Sequence, residues 1–139
     1  MDFGNFGVVN FTKQAKSVAF VDYLAEGKLM GTVCKKCGKK YFPPRMDCAQ
    51  CLDSEVEWFE INSKGKLITH STVNFGPSGF EEVQPYTLGI VEFPEGVRVL
   101  AKISKKIDPA TIKAGMELRP VPQKLNEERL TYEFEVENR

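Results

Sequence analysis

Four cysteines are the residues of this 139-residue chain whose type and spacing point most directly to chemistry. Cys34, Cys37, Cys48 and Cys51 form two Cys-x2-Cys pairs with ten residues between them. Each pair can aim two thiolates at one point, and two such pairs supply the four ligands of a tetrahedral Zn²⁺. The pattern therefore predicts a zinc ribbon that binds one zinc ion.

The four thiolates also allow other interpretations. Iron in a rubredoxin-like site uses the same ligands, and a redox-active Cys-x-x-Cys is a further alternative. Redox chemistry would need one pair only, and the sequence shows no surrounding βαβ pattern. Zinc with four thiolate ligands has no open coordination position, so we expect a structural ion. Gly38 follows the first pair and suits a tight turn, whereas Leu52 follows the second pair.

Charge and composition restrict the class of protein. Lys plus Arg and Asp plus Glu number 19 each, so the formal net charge is zero and no global basic field exists for holding nucleic acid. The cysteines have metal-type spacing with none left for disulfides, which indicates a reducing compartment, with the cytoplasm as the expected location. The N-terminus lacks a secretory pattern, and apolar runs stay far below the ~18 residues of a membrane helix, so we expect no membrane association.

Short elements must position the cysteine pairs. Ser17 is expected to cap the N-terminus of a short helix that Gly27 ends. A strand at residues 29–33 leads into the first pair, and a strand at residues 55–61 follows the second. The apolar face of the helix is formed by Phe20, Val21 and Leu24. Residues 17–61 are thus predicted to form the helix and a rubredoxin-like ribbon.

Five strand-like segments follow, at residues 66–75, 86–93, 97–103, 116–121 and 130–136. Asp108 and Pro109 suit the start, and Gly115 the end, of a short helix between the third and fourth strands. This is the order of an OB-type barrel, in which Gly89 indicates a bulge or a bend. The predicted fold is therefore mainly β, with a short N-terminal helix and a zinc ribbon followed by an OB-fold barrel at residues 62–139.

Two aromatic stretches lie outside these elements. Residues 1–16 are predicted to form an extended N-terminal arm, whose Phe3 and Phe6 either lie on a partner protein or fold back on their own domain. The Gly- and Pro-rich loop at residues 76–80 carries Phe80. Exposed aromatic side chains are costly unless something covers them, so Phe3, Phe6 and Phe80 are predicted to bind a partner.

Phe42 and Arg45 flank two prolines between the cysteine pairs. Arg45 can meet a phosphate while Phe42 packs on a partner or an adenine, and the alternative is that the prolines simply turn the ribbon. His70 is the single histidine, and no cysteine free of metal stands ready to form a nucleophile–base pair with it. No catalytic residue is predicted.

Several segments together resemble a known family. They are Glu-Gly-Lys-Leu at 26–29, Tyr-Phe-Pro-Pro-Arg at 41–45 between the cysteine pairs, Val-Glu-Trp at 56–58 and the OB-like half. This combination resembles the small zinc-ribbon OB-fold proteins associated with acyl-CoA metabolism, over residues 18–136. The Tyr-Phe-Pro-Pro-Arg segment is the more specific part, and Leu52 departs from the usual glycine.

The resemblance implies a non-catalytic partner of a thiolase-superfamily enzyme. Some members of this family join acetoacetyl-CoA thiolase to hydroxymethylglutaryl-CoA synthase in archaea. Others are subunits of thiolases for aromatic acyl-CoA esters such as benzoylsuccinyl-CoA, and others accompany steroid-CoA hydratases. A role in assembly and CoA binding is implied, and we predict that Phe42, Arg45 and Lys102 bind CoA, because its phosphates require cations or amide donors.

The resulting hypothesis is an accessory subunit of a hetero-oligomeric thiolase-type complex. The partner subunit supplies the catalytic residues, and the CoA ester is shared between the two. A nucleic-acid-binding module is the first alternative, because zinc ribbons and OB barrels both serve that purpose. A stand-alone acyl-CoA hydratase that uses His70 or an acidic residue is the second.

Overall fold

Two β-sheets dominate the structure, a computed structural model that describes residues 1–8 and 15–136. The strands are β1 (Met30–Cys34), β2 (Lys40–Tyr41), β3 (Val56–Glu60), β4 (Gly65–Val73), β5 (Tyr86–Glu92), β6 (Arg98–Ile103), β7 (Glu117–Lys124) and β8 (Leu130–Glu135). Strands β2-β1-β3 form an antiparallel sheet around the cysteines, and β4-β5-β6-β8-β7 close into a barrel. The predicted fold class is confirmed.

One α-helix, α1 (Ala19–Ala25), precedes the ribbon within the described residues. The prediction that Ser17 caps it is wrong, because the N-cap position falls on Val18 and no side chain satisfies it. The residues before it form a turn in which the Ser17 carbonyl accepts from the Phe20 N–H at 3.0 Å, so the helix begins later. Gly27 ends the helix as predicted, with a φ of 86° that a glycine adopts without strain.

The barrel core follows from the period-two alternation of its strands. Val99, Ala101 and Ile103 are buried as predicted, and Val91 and Phe134 fill the centre of the core. Full burial of a Val or Phe side chain contributes about 1.5–3 kcal/mol. The same alternation places the residues between them on the outer face of β6.

Gly89 in β5 lies at a closely packed point of the barrel wall. A Cβ added to Gly89 would lie 2.8 Å from a Leu67 methyl and 3.0 Å from an Ile103 methyl, so a larger residue would have to displace these two side chains. The pairing of β4 with β5 shifts register between Leu67 and Thr69. An irregularity of the kind that Gly89 indicates therefore lies in the neighbouring strand, next to the pairing of His70 with Gly89.

The short helix between β6 and β7 is a single 3-10 turn, Pro109–Thr111. The Asp108 side chain caps it by accepting from the Ala110 N–H at 3.0 Å, as the sequence predicts. Gly115, with a φ of 91°, donates its N–H to the Leu67 carbonyl at 2.7 Å and returns the chain to the barrel.

The N-terminal segment is compactly folded over residues 1–8, so the prediction of an extended arm is wrong there. Asp2 and Asn5 form a capping box around the 3-10 helix Phe3–Asn5. Phe6 then bridges to Leu130 of β8, and the Gly7 N–H donates to the Leu130 carbonyl at 2.6 Å. The alternative in which the arm folds back on its own chain thus describes these eight residues, and the rest of the arm to residue 14 lies outside the described residues.

The connection between the two sheets is held by Glu95, which lies between β5 and β6. Its carboxylate accepts from the Ser63 hydroxyl at 2.9 Å and from the Asn62 N–H at 3.3 Å. The division of the chain into 1–16, 17–61 and 62–139 stays a prediction. In the two described stretches, no helix is long and apolar enough to cross a membrane.

Candidate metal centre and apolar groove

The two cysteine pairs lie in turns of the same geometry. The Gly38 N–H donates to the Cys34 carbonyl, and the Leu52 N–H donates to the Cys48 carbonyl, both at 2.9 Å. Each turn requires a left-handed residue after its second cysteine, and φ is 77° at Gly38 and 58° at Leu52. The leucine that departs from the usual glycine therefore adopts the glycine conformation, with its side chain 84% exposed.

The four sulfur atoms fit a tetrahedral metal ion. All four lie within 4.8 Å of one another. The Cys34 and Cys51 sulfurs are 3.3 Å apart, and those of Cys37 and Cys48 are 3.6 Å apart. Zinc–sulfur bonds of about 2.3 Å in a tetrahedron place the sulfurs about 3.8 Å from one another. The cluster can thus hold one ion, with Cys34 and Cys48 buried and Cys37 exposed.

Cys48 is the ligand most strongly favoured as a thiolate. The Tyr41 hydroxyl lies 3.3 Å from its Sγ, and the Cys51 N–H donates to the same sulfur at 3.5 Å. The hydroxyl of Tyr41 first, and the Cys51 N–H second, lower the pKa of Cys48 to about 6. Since metal binding requires thiolates, hydrogen bonds to this sulfur assist the site near neutral pH.

Leu52→Gly is expected to stabilise the chain by about 0.5–1 kcal/mol. The left-handed conformation costs a leucine about 1–2 kcal/mol in the folded state, and glycine avoids this cost. Glycine also gives the unfolded chain more conformational freedom, which offsets about 0.4–1 kcal/mol of the stabilisation. The exposed side chain leaves no cavity when it is removed. Gly38→Ala at the matching position of the first turn should have the opposite sign. Denaturant unfolding of the zinc-loaded protein measures both, and a destabilised Leu52→Gly would contradict the prediction.

The structure turns Phe42 and Arg45 toward different neighbours. The Phe42 ring packs 6.0 Å from Phe20 of α1 and 5.7 Å from Tyr132 of β8. Arg45 is exposed, with its guanidinium 5.3 Å from the centre of the Tyr41 ring. The two residues thus contact different side chains, and CoA binding by either or both stays a prediction.

An aromatic cluster joins the N-terminal segment, α1, the ribbon and the barrel. Its members are Phe3, Phe6, Phe20, Phe42 and Tyr132, whose neighbouring rings lie between 5.6 and 6.4 Å apart. Burial raises the pKa of Tyr132 to about 12, so its hydroxyl stays neutral. The predicted partner residues Phe3 and Phe6 are half-buried in this cluster, and their contact with a partner stays a prediction.

An apolar groove of about 330 Å³ continues from this cluster across the outer face of the barrel. Leu88 of β5 and Leu100 of β6 line it, together with Phe6, Phe80 and Lys102. Three residues predicted from separate stretches of the sequence are thus brought to one place. Leu100 is 56% exposed and was missed by the sequence reasoning, although a large apolar residue between Arg98 and Lys102 is the signal that would have found it.

Lys102 carries a charge that is already paired. Its Nζ lies 3.6 Å from Oε2 of Glu133, and its side chain is only 15% exposed. The lysine stem therefore forms part of the groove wall, while its ammonium group is held by the neighbouring strand. A role for Lys102 in binding a CoA phosphate stays a prediction.

The loop between β4 and β5 borders the groove. Phe80 is half-buried and its ring packs 5.9 Å from that of Tyr86. Phe75 is 89% exposed and was not singled out, because it stands at the end of the predicted strand 66–75. The loop thus presents one fully exposed and one half-buried aromatic side chain.

His70 is exposed on β4 in a shallow depression beside Leu88, Gly89 and Leu100. No carboxylate or cysteine lines this depression. General acid–base catalysis needs a group that orients or activates the histidine, and the lining residues supply none.

Comparison with known proteins decides the family. The ChsH2 rubredoxin-like zinc ribbon domain matches residues 21–57, and the ChsH2 C-terminal OB-fold domain matches residues 58–123. A DUF35 domain-containing scaffold protein of Pyrococcus furiosus is 40% identical over 100 residues, covering 72% of this chain and 72% of the relative. The chain belongs to the DUF35 family. The family resemblance derived from the ribbon segments is confirmed.

Other DUF35 relatives carry names that bear on function. Benzoylsuccinyl-CoA thiolase subunit BbsA of Geobacter metallireducens is 31% identical over 109 residues, which cover 76% of this chain and 73% of the relative. A solved structure of an Ltp2-ChsH2(DUF35) aldolase superposes with a TM-score of 0.77 over 90% of this chain and 97% of that chain. Its 20% identity shows a shared fold alone.

Proposed function

We propose that this DUF35 chain is a non-catalytic accessory subunit of a thiolase-type acyl-CoA enzyme complex. The observation that carries the proposal is the apolar groove, which exposed Leu100 lines together with Phe6 and Phe80. Apolar side chains of this kind mark a surface for a partner protein. The names of related scaffold proteins and of BbsA, a thiolase subunit, support a thiolase-superfamily enzyme as that partner.

The position of the four cysteines supports the accessory role. All four cysteines of the chain belong to the metal cluster, so none is left as a nucleophile. The partner then supplies the reactive groups, and this chain contributes surface and CoA contacts in a cytoplasmic hetero-oligomer. We assign the metal as structural zinc, because four thiolates at tetrahedral spacing suit zinc and leave it no open position.

The experiment that tests this function is affinity purification of the tagged chain from its native organism. Recovery of a thiolase-superfamily protein in stoichiometric amount is the expected result. Recovery of nucleic acid or of its processing enzymes would overturn the proposal in favour of a nucleic-acid-binding module. Turnover of an acyl-CoA by the purified chain alone would overturn it in favour of a stand-alone enzyme.

Within this complex, Arg45 is our candidate for contact with the CoA phosphates. Its backbone is fixed on both sides, because its N–H donates to the Thr32 hydroxyl at 2.9 Å and its carbonyl accepts from that hydroxyl at 2.8 Å. Its guanidinium is exposed, and no ion pair holds it among the described residues. An exposed guanidinium on a fixed backbone can reach a phosphate and donate two parallel hydrogen bonds to it.

Arg45→Ala in the assembled complex is expected to raise KM for the acyl-CoA about tenfold, since a charge-assisted hydrogen bond contributes about 1.5–3 kcal/mol. The contact is remote from the bond being broken and acts equally on ground and transition states, so kcat should change little. Arg98→Ala removes an exposed arginine that is paired with Glu92 at 3.0 Å and is the matched control. A fall in kcat at constant KM would contradict a binding role.

A further inference from the structure

We propose that Tyr41 is a positioning residue for the metal centre, in which its hydroxyl donates a hydrogen bond to the sulfur of Cys48 and holds the second cysteine pair on the ribbon sheet. Tyr41 lies at the end of β2, where it pairs with Thr32 of β1. The second cysteine pair lies beyond it, in the stretch without strands that leads to β3.

The direction of this hydrogen bond follows from the second neighbour of the hydroxyl. The Ala49 N–H donates to the Tyr41 oxygen at 2.9 Å, so the oxygen acts as acceptor there. The remaining partner is the Cys48 Sγ at 3.3 Å. A phenol has one proton to donate, and a metal-bound thiolate is an acceptor only. The proton of Tyr41 therefore points at the sulfur.

The contact matters to the ribbon because the second pair lies in no strand, and the hydrogen bonds that Thr32 of β1 makes to this loop hold Arg45 and not a cysteine. Strand β2 has two residues, and the chain from residue 42 to residue 55 contains no strand. The Cys48 N–H is bonded within the same stretch, to the Asp53 carbonyl at 2.8 Å. Tyr41 thus connects the sheet to both Cys48 and Ala49 through one side chain. Groups that hydrogen-bond to metal ligands in this way typically change metal affinity 10- to 100-fold.

The ring of Tyr41 has a separate role that can be kept apart from the hydroxyl. The Lys39 ammonium lies 5.7 Å and the Arg45 guanidinium 5.3 Å from the ring centre. Both contacts are made with the ring and not with the hydroxyl. Tyr41→Phe retains the ring and both cation contacts and removes only the hydroxyl. The substitution therefore isolates the hydrogen bond to Cys48.

The test is the rate at which the zinc-loaded protein transfers zinc to excess EDTA, followed as the fraction of metal still held by the protein. Tyr41→Phe is expected to release zinc about tenfold faster than the unaltered chain, in line with the effect of such contacts on affinity. Tyr23→Phe is the matched control, because Tyr23 is half-buried against Trp58, with ring centres 5.3 Å apart, and does not contact a cysteine. Equal release rates in all three proteins would overturn the proposal.

Cobalt substitution separates a hydrogen bond to sulfur from a general loosening of the loop. A thiolate that loses an O–H donor is more electron-rich, so the sulfur-to-cobalt charge-transfer band of Co²⁺-loaded Tyr41→Phe should move to longer wavelength. The band of Tyr23→Phe should coincide with that of the unaltered chain. Faster zinc release with an unmoved band would show that the hydroxyl does not act on the sulfur, and would also overturn the proposal.

Discussion

Cys48→Ser is expected to leave the ribbon unfolded and without bound metal. Structural zinc contributes on the order of 10 kcal/mol to the folding of a small module, more than any packing contact in the ribbon can replace. The strand between the cysteine pairs has two residues, so its pairing with β1 is too short to hold the two turns together in place of the metal. The barrel should persist, because Val91, Val99 and Phe134 form its core without the cysteines.

Zinc analysis and amide NMR spectra measure this result. The mutant should hold less than one tightly bound ion, and the dispersed signals of residues 30–60 should collapse while those of the barrel remain. Ala49→Ser is the matched control, because the residue is exposed and next to Cys48 yet offers no ligand. A mutant that retains a full equivalent of zinc and a dispersed ribbon would contradict the prediction. An iron spectrum in the unaltered protein would instead select the rubredoxin-like alternative.

Leu100→Glu is expected to weaken binding of the partner subunit at least 100-fold. Removing a leucine from an interface loses about 1.5–3 kcal/mol, and leaving a carboxylate buried and unpaired costs several kcal/mol more. A loss of about 2.7 kcal/mol already corresponds to 100-fold in the dissociation constant. The free chain should stay folded, because Leu100 is 56% exposed in it.

The control for the groove is a carboxylate placed elsewhere on the barrel. Ala114 is exposed between the 3-10 turn and β7 and does not line the groove, so Ala114→Glu should bind the partner normally. Phe80→Ala should give an intermediate loss, because Phe80 also packs on Tyr86 within the chain. Titration calorimetry with the purified partner measures all three. Equal affinity for Leu100→Glu and Ala114→Glu would exclude the groove as the contact surface.

The local order of residues determined the metal cluster and the strands. Cysteine pairs at this spacing are typical of metal-binding turns, because the two thiolates of one tight turn point to the same place. Val99, Ala101 and Ile103 alternate with polar or exposed residues, and this period suffices to predict which side of β6 faces the core. The same short-range signals give the order of strands and helical turn along the chain, which is the order of an OB-type barrel.

The conformation of the second turn required the folded backbone. The sequence shows that Leu52 stands where a glycine is usual, but a leucine there could equally have changed the turn. The structure shows that the turn is kept. Leu52 has a φ of 58°, and its N–H donates a hydrogen bond to the Cys48 carbonyl. The hydrogen-bonded turn that carries the cysteine pair therefore sets the conformation of Leu52, against the local preference of a leucine.

The groove was decided by tertiary structure alone. Phe6, Phe80 and Lys102 are far apart in the chain, and only closure of the barrel and the return of the N-terminal segment to β8 bring them together. The same folding packs Phe42 against Tyr132 and places the Arg45 guanidinium over Tyr41. Whether an aromatic side chain is available to a partner depends on which distant residues cover it, and that is a property of the closed barrel.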